Sequence, residues 1–88
     1  MNSSEILKVW ADRDAYVVRE AVGIGHPNET VGRMRDARGV DVTVKENGRG
    51  VSVTVTYEEL ERFRKAGLIS KSGQSGHPDV RIYKLKKT

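Results

Sequence analysis

Residues 40–55, which read VDVTVKENGRGVSVTV, carry the clearest structural signal in the 88-residue chain. Valine alternates with polar residues over 40–44 and again over 51–55. This period of two places the valines of each run on one face of a strand. Between the runs lies Asn47-Gly48, a pair that favours the two-residue turn of a hairpin because both residues tolerate a positive φ. The stretch therefore predicts a β-hairpin.

Helices are predicted on both sides of this hairpin. Apolar residues at helical spacing and a polar cap at residues 2–5 predict a helix over 3–12. A second helix is predicted up to about residue 22, either as a continuation or as a new helix from Asp14. After a turn rich in Gly and Pro, a third is predicted over 28–38. Thr56-Tyr57-Glu58-Glu59 is typical of a capping box and predicts a fourth over 57–67, and a second hairpin is predicted over 68–85.

The composition excludes several classes of protein. The chain has no cysteine, so it cannot hold a disulfide scaffold, a thiolate metal site or a thiol nucleophile. It has no apolar run near the roughly 18 residues that a membrane span needs, and residues 1–5 lack the features of a signal peptide. We therefore expect a cytoplasmic protein with no membrane partner.

The positive charge is concentrated in the second half of the chain. Residues 1–39 hold six bases and six acids, whereas residues 40–88 hold ten bases and six acids, which accounts for the whole net charge of +4. A concentrated basic region favours an anionic partner, nucleic acid first. The alternative is that these basic residues form a solvated C-terminal segment that aids solubility and binds no partner.

Two stretches resemble DNA-binding domains. Ala21, Gly25, Val31 and Met34 have the spacing of a helix-turn-helix, although Glu20 and the His-Pro pair after Gly25 depart from it. Residues 56–85, with an Ala-Gly-Leu-Ile helix end and a terminal strand, resemble the end of a winged helix-turn-helix domain. The resemblance implies an α+β winged helix-turn-helix fold. Its single domain over 1–88 would contain the helix-turn-helix at 14–38, a hairpin at 40–55, a helix at 57–67 and a hairpin at 68–85.

Either of two helices could then be the recognition helix. The shape signature favours 57–67, but that helix begins with Glu58, Glu59 and Glu61, which phosphates repel. The charge pattern favours 28–38, because that stretch carries Arg33 and Arg35. The residues predicted to contact bases or phosphates, there and in the two hairpins, are Asn28, Thr30, Arg33, Arg35, Arg38, Arg49, Lys71, Arg81 and Lys84.

The sequence offers no constellation typical of an enzyme. The glutamates at 58, 59 and 61 have no neighbouring base or nucleophile, and His26 and His77 alone make a poor metal site. We therefore expect no catalysis, no cofactor, no metal and no small-molecule ligand.

The leading prediction is a module that binds double-stranded DNA, as in a small transcriptional regulator of prokaryote, phage or plasmid origin. A homodimer is left open. Two alternatives also stay open: a winged-helix protein-interaction module, and the DNA-targeting domain of a larger nuclease or recombinase.

Overall fold

The computed structural model describes residues 1–20, 31–74 and 77–86, and in these ranges the chain forms two helices and seven strands. The elements follow one another as α1 (Ser3–Asp12), β1 (Tyr16–Glu20), β2 (Val31–Arg35), β3 (Thr43–Glu46), β4 (Arg49–Ser52), β5 (Thr54–Thr56), α2 (Tyr57–Lys65), β6 (Ile69–Gln74) and β7 (His77–Leu85).

Five of the strands form one antiparallel sheet in the order β5-β2-β1-β7-β6. Strand β1 lies at the centre, where Val17 is opposite Met34 on one side and Tyr83 on the other. The β-branched and aromatic residues of 16–18 suit a central strand, because both of its edges are paired and its inner side chains are enclosed. The middle strand of the sheet, β1, therefore pairs with β7, which is far from it in the sequence.

Both helices pack on the same face of this sheet. Trp10 of α1 and Leu60 of α2 are fully buried, and they share a core with Val17, Met34 and Tyr83. The Trp10 indole Nε1 donates to the carbonyl oxygen of residue 15 at 2.9 Å, which ties α1 to the turn before β1. That turn includes Asp14 with a φ of 48°, so α1 cannot continue into residues 16–20.

Strands β3 and β4 form a separate two-stranded ribbon. Its base is joined to β2, because Met34 donates its N–H to the carbonyl of Val53 and accepts from the N–H of Val42. Val44 of the ribbon packs at the margin of the core and borders a depression beside α1. The ribbon thus lies on the helical side of the molecule.

The prediction of a winged helix-turn-helix fold is wrong. Residues 16–20 and 31–35, which were expected to lie in the two helices of a helix-turn-helix over 14–38, are adjacent antiparallel strands. Val31 and Met34 cannot seat a recognition helix, because they belong to β2 and lie on opposite faces of it. Ala21 and Gly25 lie outside the described residues.

The elements predicted from local turn and capping signals do occur. The Asn47-Gly48 turn has φ values of 50° and 79°, as a two-residue hairpin turn requires. Thr56 accepts a hydrogen bond from the N–H of Glu59 and caps α2, which ends before Gly67 with its φ of 78°. The second hairpin, β6–β7, is not a wing, because β7 pairs with β1 inside the main sheet.

Candidate nucleic-acid interface

The five-stranded sheet has one face turned away from both helices. Side chains alternate along each strand, so the buried Val17, Met34 and Tyr83 fix which residues are on the helical face. No helix in the described part of the chain packs on the other side. We call this other side the open face, and its described residues are Tyr16, Val18, Glu20, Val31, Arg33, Arg35, Thr54, Thr56, Ser70, Ser72, Val80, Ile82 and Lys84.

The strand register places an aromatic residue between two cations on the open face. Tyr16 of β1 is directly opposite Arg35 of β2 and Lys84 of β7. Side chains opposite one another in an antiparallel sheet have Cβ atoms about 4.5–5.5 Å apart. Arg35, Tyr16 and Lys84 therefore form one continuous row across three strands.

A second row lies beside the first and is apolar at its centre. Val18 is opposite Arg33 on one side and Ile82 on the other. Val18 and Ile82 are half-buried, whereas Arg33 is exposed. The two rows enclose a depression of about 210 Å³ lined by Tyr16, Val18, Arg35, Ile82 and Lys84.

The described part of the open face carries three cations, Arg33, Arg35 and Lys84, and one acid, Glu20. Among the described residues, neither Arg33 nor Lys84 forms an ion pair. Arg35 lies close to one carboxylate, since its Nε is 3.4 Å from Oδ1 of Asp41. The geometry of that contact is not that of a hydrogen bond, and the buried Nε has no hydrogen-bond partner in the described structure. The Arg35 side chain as a whole is 41% exposed, so its guanidinium has further N–H donors for an anion.

The turn after β2 closes one end of the open face. Asp36 accepts hydrogen bonds from the N–H groups of Val40 and Arg38, at 3.1 and 2.8 Å. These two N–H groups, Val40 first, hold the pKa of Asp36 below its usual value. The Tyr16 hydroxyl lies beside this turn, 3.6 Å from the place that a Cβ atom would occupy at Gly39.

On the helical side of the molecule, the arginines of α2 have partners within their own helix. The two helices carry more acids than bases, and the arginines of α2 contact glutamates of the same helix: Arg64 donates to both carboxylate oxygens of Glu61, at 2.8 and 2.9 Å, and Arg62 is 3.9 Å from Glu59. The hydrogen bond from Arg64 lowers the pKa of Glu61, and the same bond raises the pKa of Arg64. These bases are engaged within α2 itself.

A larger depression lies at the end of the sheet, next to the first. It has a volume of about 560 Å³, and Tyr16 and Lys84 line both. Trp10, Asp14, Ala37 and Lys86 contribute to its other walls. Tyr16 thus stands between two open depressions, each with Lys84 at its border.

Of the residues predicted from sequence to contact DNA, three meet on the open face. These are Arg33, Arg35 and Lys84, and they lie on strands rather than on a recognition helix or a wing. Arg38 is in the turn after β2, where its Nη2 is 3.8 Å from Asp36. Arg49 begins β4 next to the hairpin turn, far along the separate ribbon.

The remaining predicted contacts do not join this group. Lys71 and Arg81 have the strand parity of Tyr83, so they are on the helical face of the sheet. Arg81 donates to the carbonyl oxygen of Val80 and is half-buried. Asn28 and Thr30 lie outside the described residues.

The sequence analysis did not single out Tyr16, because it placed the residues up to about 22 in a helix. The alternation of Tyr16, Val18 and Glu20 with Val17 and Arg19 could have indicated a strand with Tyr16 on the outer face. Asp41 was also missed, since nothing local connects it to Arg35. The bridge between these two residues is formed only when the chain turns back on itself after β2.

No family model matches the chain, and no significantly similar protein was found among curated proteins or solved structures. Neither of the helices that the structure describes is long and apolar enough to cross a membrane. Within residues 1–20, 31–74 and 77–86 there is no cluster of three or more potential metal ligands.

Proposed function

We propose that the chain binds nucleic acid through the open face of its five-stranded sheet. The observation that carries the proposal is the convergence of Arg33, Arg35 and Lys84 around Tyr16 on a face that no described helix covers. Phosphate groups supply most of the affinity in nucleic-acid complexes, and Arg and Lys side chains are their usual partners.

The contrast between the two sides of the molecule supports this choice of surface. The arginines of α2 are neutralised by glutamates on their own helix, whereas Arg33 and Lys84 form no ion pair among the described residues. A helix that begins with Glu58 and Glu59 is suited to its own dipole rather than to phosphates. Recognition by a helix in the major groove is therefore not part of the proposal.

The test compares two triple variants with the same change in net charge. Arg33→Ala/Arg35→Ala/Lys84→Ala removes the three cations of the open face. Lys8→Ala/Arg62→Ala/Lys65→Ala removes three exposed cations from the helices and leaves the Glu61–Arg64 pair intact. Binding of fluorescent DNA and RNA, unpaired and duplex, is measured by anisotropy at low salt. We expect the first variant to lose at least roughly tenfold in affinity and the second to stay within about threefold of the parent.

A further variant, Asp41→Asn, is designed to strengthen binding rather than weaken it. It removes the carboxylate beside Arg35 and leaves the guanidinium free for phosphate, so we expect tighter binding. Glu46→Gln in the ribbon makes the same change of charge away from the open face and should have little effect. Equal losses in the two triple variants, or no salt-sensitive binding to any of the four nucleic acids, would overturn the proposal.

A further inference from the structure

The width of the open face limits the form of nucleic acid that it can hold. Its five strands, spaced by about 4.8 Å, span roughly 19 Å. The major groove of B-DNA is only about 12 Å wide. The sheet cannot enter that groove flat, and a duplex would meet the face through its backbone alone. An unpaired strand has no such restriction, because its bases can turn towards the protein.

The depression on the open face is small, and its lining has the chemistry to hold one base. Its volume of about 210 Å³ is below the roughly 300–1,000 Å³ typical of pockets for drug-sized ligands. Val18 and Ile82 give it an apolar floor, and Tyr16 supplies an aromatic ring at its edge. Arg35 and Lys84 stand on either side of Tyr16, where the phosphates that flank a stacked base would pass.

The neighbouring depression provides a path for the strand beyond this base. It begins on the other side of Tyr16, shares Lys84 with the first depression and has Lys86 on its wall. A strand that leaves the stacked base would therefore pass two lysine side chains, with the carboxylate of Asp14 on another wall of the depression. Aromatic side chains along a basic groove are the usual arrangement in proteins that bind unpaired strands.

We infer that the open face binds unpaired nucleic acid, with one base stacked on Tyr16 and its phosphates held by Arg35 and Lys84. This inference rests on the proposed function and narrows it to one form of ligand. Unpaired DNA and RNA share the base and the phosphate that the face would recognise, so the test contains both.

The experiment measures the affinities of the full chain and of three Tyr16 variants for labelled oligonucleotides at one low salt concentration. The ligands are a 12-residue thymidine DNA strand, a 12-residue uridine RNA strand and a 12-base-pair DNA duplex. We expect the parent to bind at least one unpaired strand roughly tenfold or more tightly than the duplex. Preference for DNA or for RNA would identify the source of the ligand, and either preference, or none, agrees with the inference.

The three variants separate stacking from folding. Tyr16→Phe keeps the ring and should bind like the parent, whereas Tyr16→Leu keeps apolar bulk without a ring. Tyr16→Leu and Tyr16→Ala should each lose roughly 5- to 150-fold for unpaired strands and little for duplex. Circular dichroism and the fluorescence of the single tryptophan, Trp10, report whether each variant is folded.

The outcomes distinguish the inference from the proposed function. Duplex binding as tight as that of both unpaired strands, or full affinity of a folded Tyr16→Leu variant, overturns the inference and leaves the binding surface in place. If the parent protein binds none of the three ligands, both the inference and the proposed function are overturned.

Discussion

Gly32 lies on the helical face of the sheet, beside Leu60 of α2. It is buried in the middle of β2, opposite Val55 of β5. A Cβ atom at this position would clash with Cγ1 of Val17 and would lie 3.1 Å from Cδ1 of Leu60. The absence of a side chain therefore lets Leu60 of α2 pack directly on β2.

Gly32→Ala should destabilise the protein by about 1–3 kcal/mol, because the added methyl group overpacks a core with no room for it. Gly50→Ala is the matched control, since a Cβ at Gly50 meets nothing within 4 Å. It should change stability by less than about 0.5 kcal/mol. Urea unfolding followed by Trp10 fluorescence measures both. Equal stability of the two variants would mean that the side chains of Val17 and Leu60 can shift without loss.

The candidate site was partly predictable at the scale of single residues. The identity of Arg33, Arg35 and Lys84 as binding candidates came from charge alone, which the sequence displays directly. Which cations share a surface depends instead on strand parity and pairing. Arg81 is three positions from Lys84, which on a helix would put both on one side but on β7 puts them on opposite faces. The sequence therefore supplied the candidate cations, and the pairing of the strands determines which of them share a surface.

At the scale of the elements, predictions were correct where the signal was local. The ribbon turn needs positive φ at two adjacent residues, and Asn47-Gly48 meets that need without any distant partner. The starts of α1 and α2 are marked by Asn2 and Thr56, whose side chains accept from backbone N–H groups three residues ahead. Such signals act within four residues, so they do not depend on the structure of the rest of the chain.

The prediction failed for β1 and β2, which were expected to be helices. A five-residue segment such as 31–35 fits a helical period and a strand period almost equally well. Its state is decided by partners that are distant in sequence: β2 pairs with residues 54–56, and β1 pairs with residues 80–84. Gly32 was evidence in the sequence against a helix, because glycine is unfavourable in a helix interior. In the structure it permits close packing in a strand.

The cap of α2 gives a prediction at this scale. Thr56→Ala removes the hydroxyl that accepts from the N–H of Glu59 at 3.2 Å, and should lower the free energy of unfolding by about 1 kcal/mol. Thr56→Ser retains the acceptor and should remain within a few tenths of a kcal/mol of the parent. Thermal unfolding followed by circular dichroism compares them. Matching losses in the two variants would show that the threonine methyl group matters rather than the cap.

At the scale of the whole molecule, the fold brings cations that are distant in sequence onto one face of the sheet. The chain has a net charge of +4, the two described helices together hold five acids and four bases, and Lys71 and Arg81 lie on the helical face of the sheet. The open face collects Arg33, Arg35 and Lys84, and the first and last of these are 51 positions apart in the sequence. Strand β1, which is near the start of the sequence, lies between β2 and the last strand, β7. This topology brings those cations together.

This arrangement predicts a specific dependence of binding on salt. Three phosphate contacts on an unpaired strand correspond to a slope of log K against log salt concentration of about −2, since each contact contributes about −0.7. Lys84→Ala removes one contact and should bring the slope to about −1.4. Lys65→Ala, an exposed lysine at the end of α2, makes the same change of charge on the opposite side and should leave the slope unchanged.

The slope is more informative than the affinity alone, because it counts released counterions rather than total binding energy. A variant that merely loosens the fold lowers the affinity at every salt concentration and leaves the slope in place. Titrations at four or more salt concentrations, with each variant compared to the parent, provide the measurement. If Lys84→Ala weakened binding without a change in slope, Lys84 would act through the structure of β7. Phosphate binding would then have to be sought at other cations of the described surface, with Arg49 on the ribbon the first to replace.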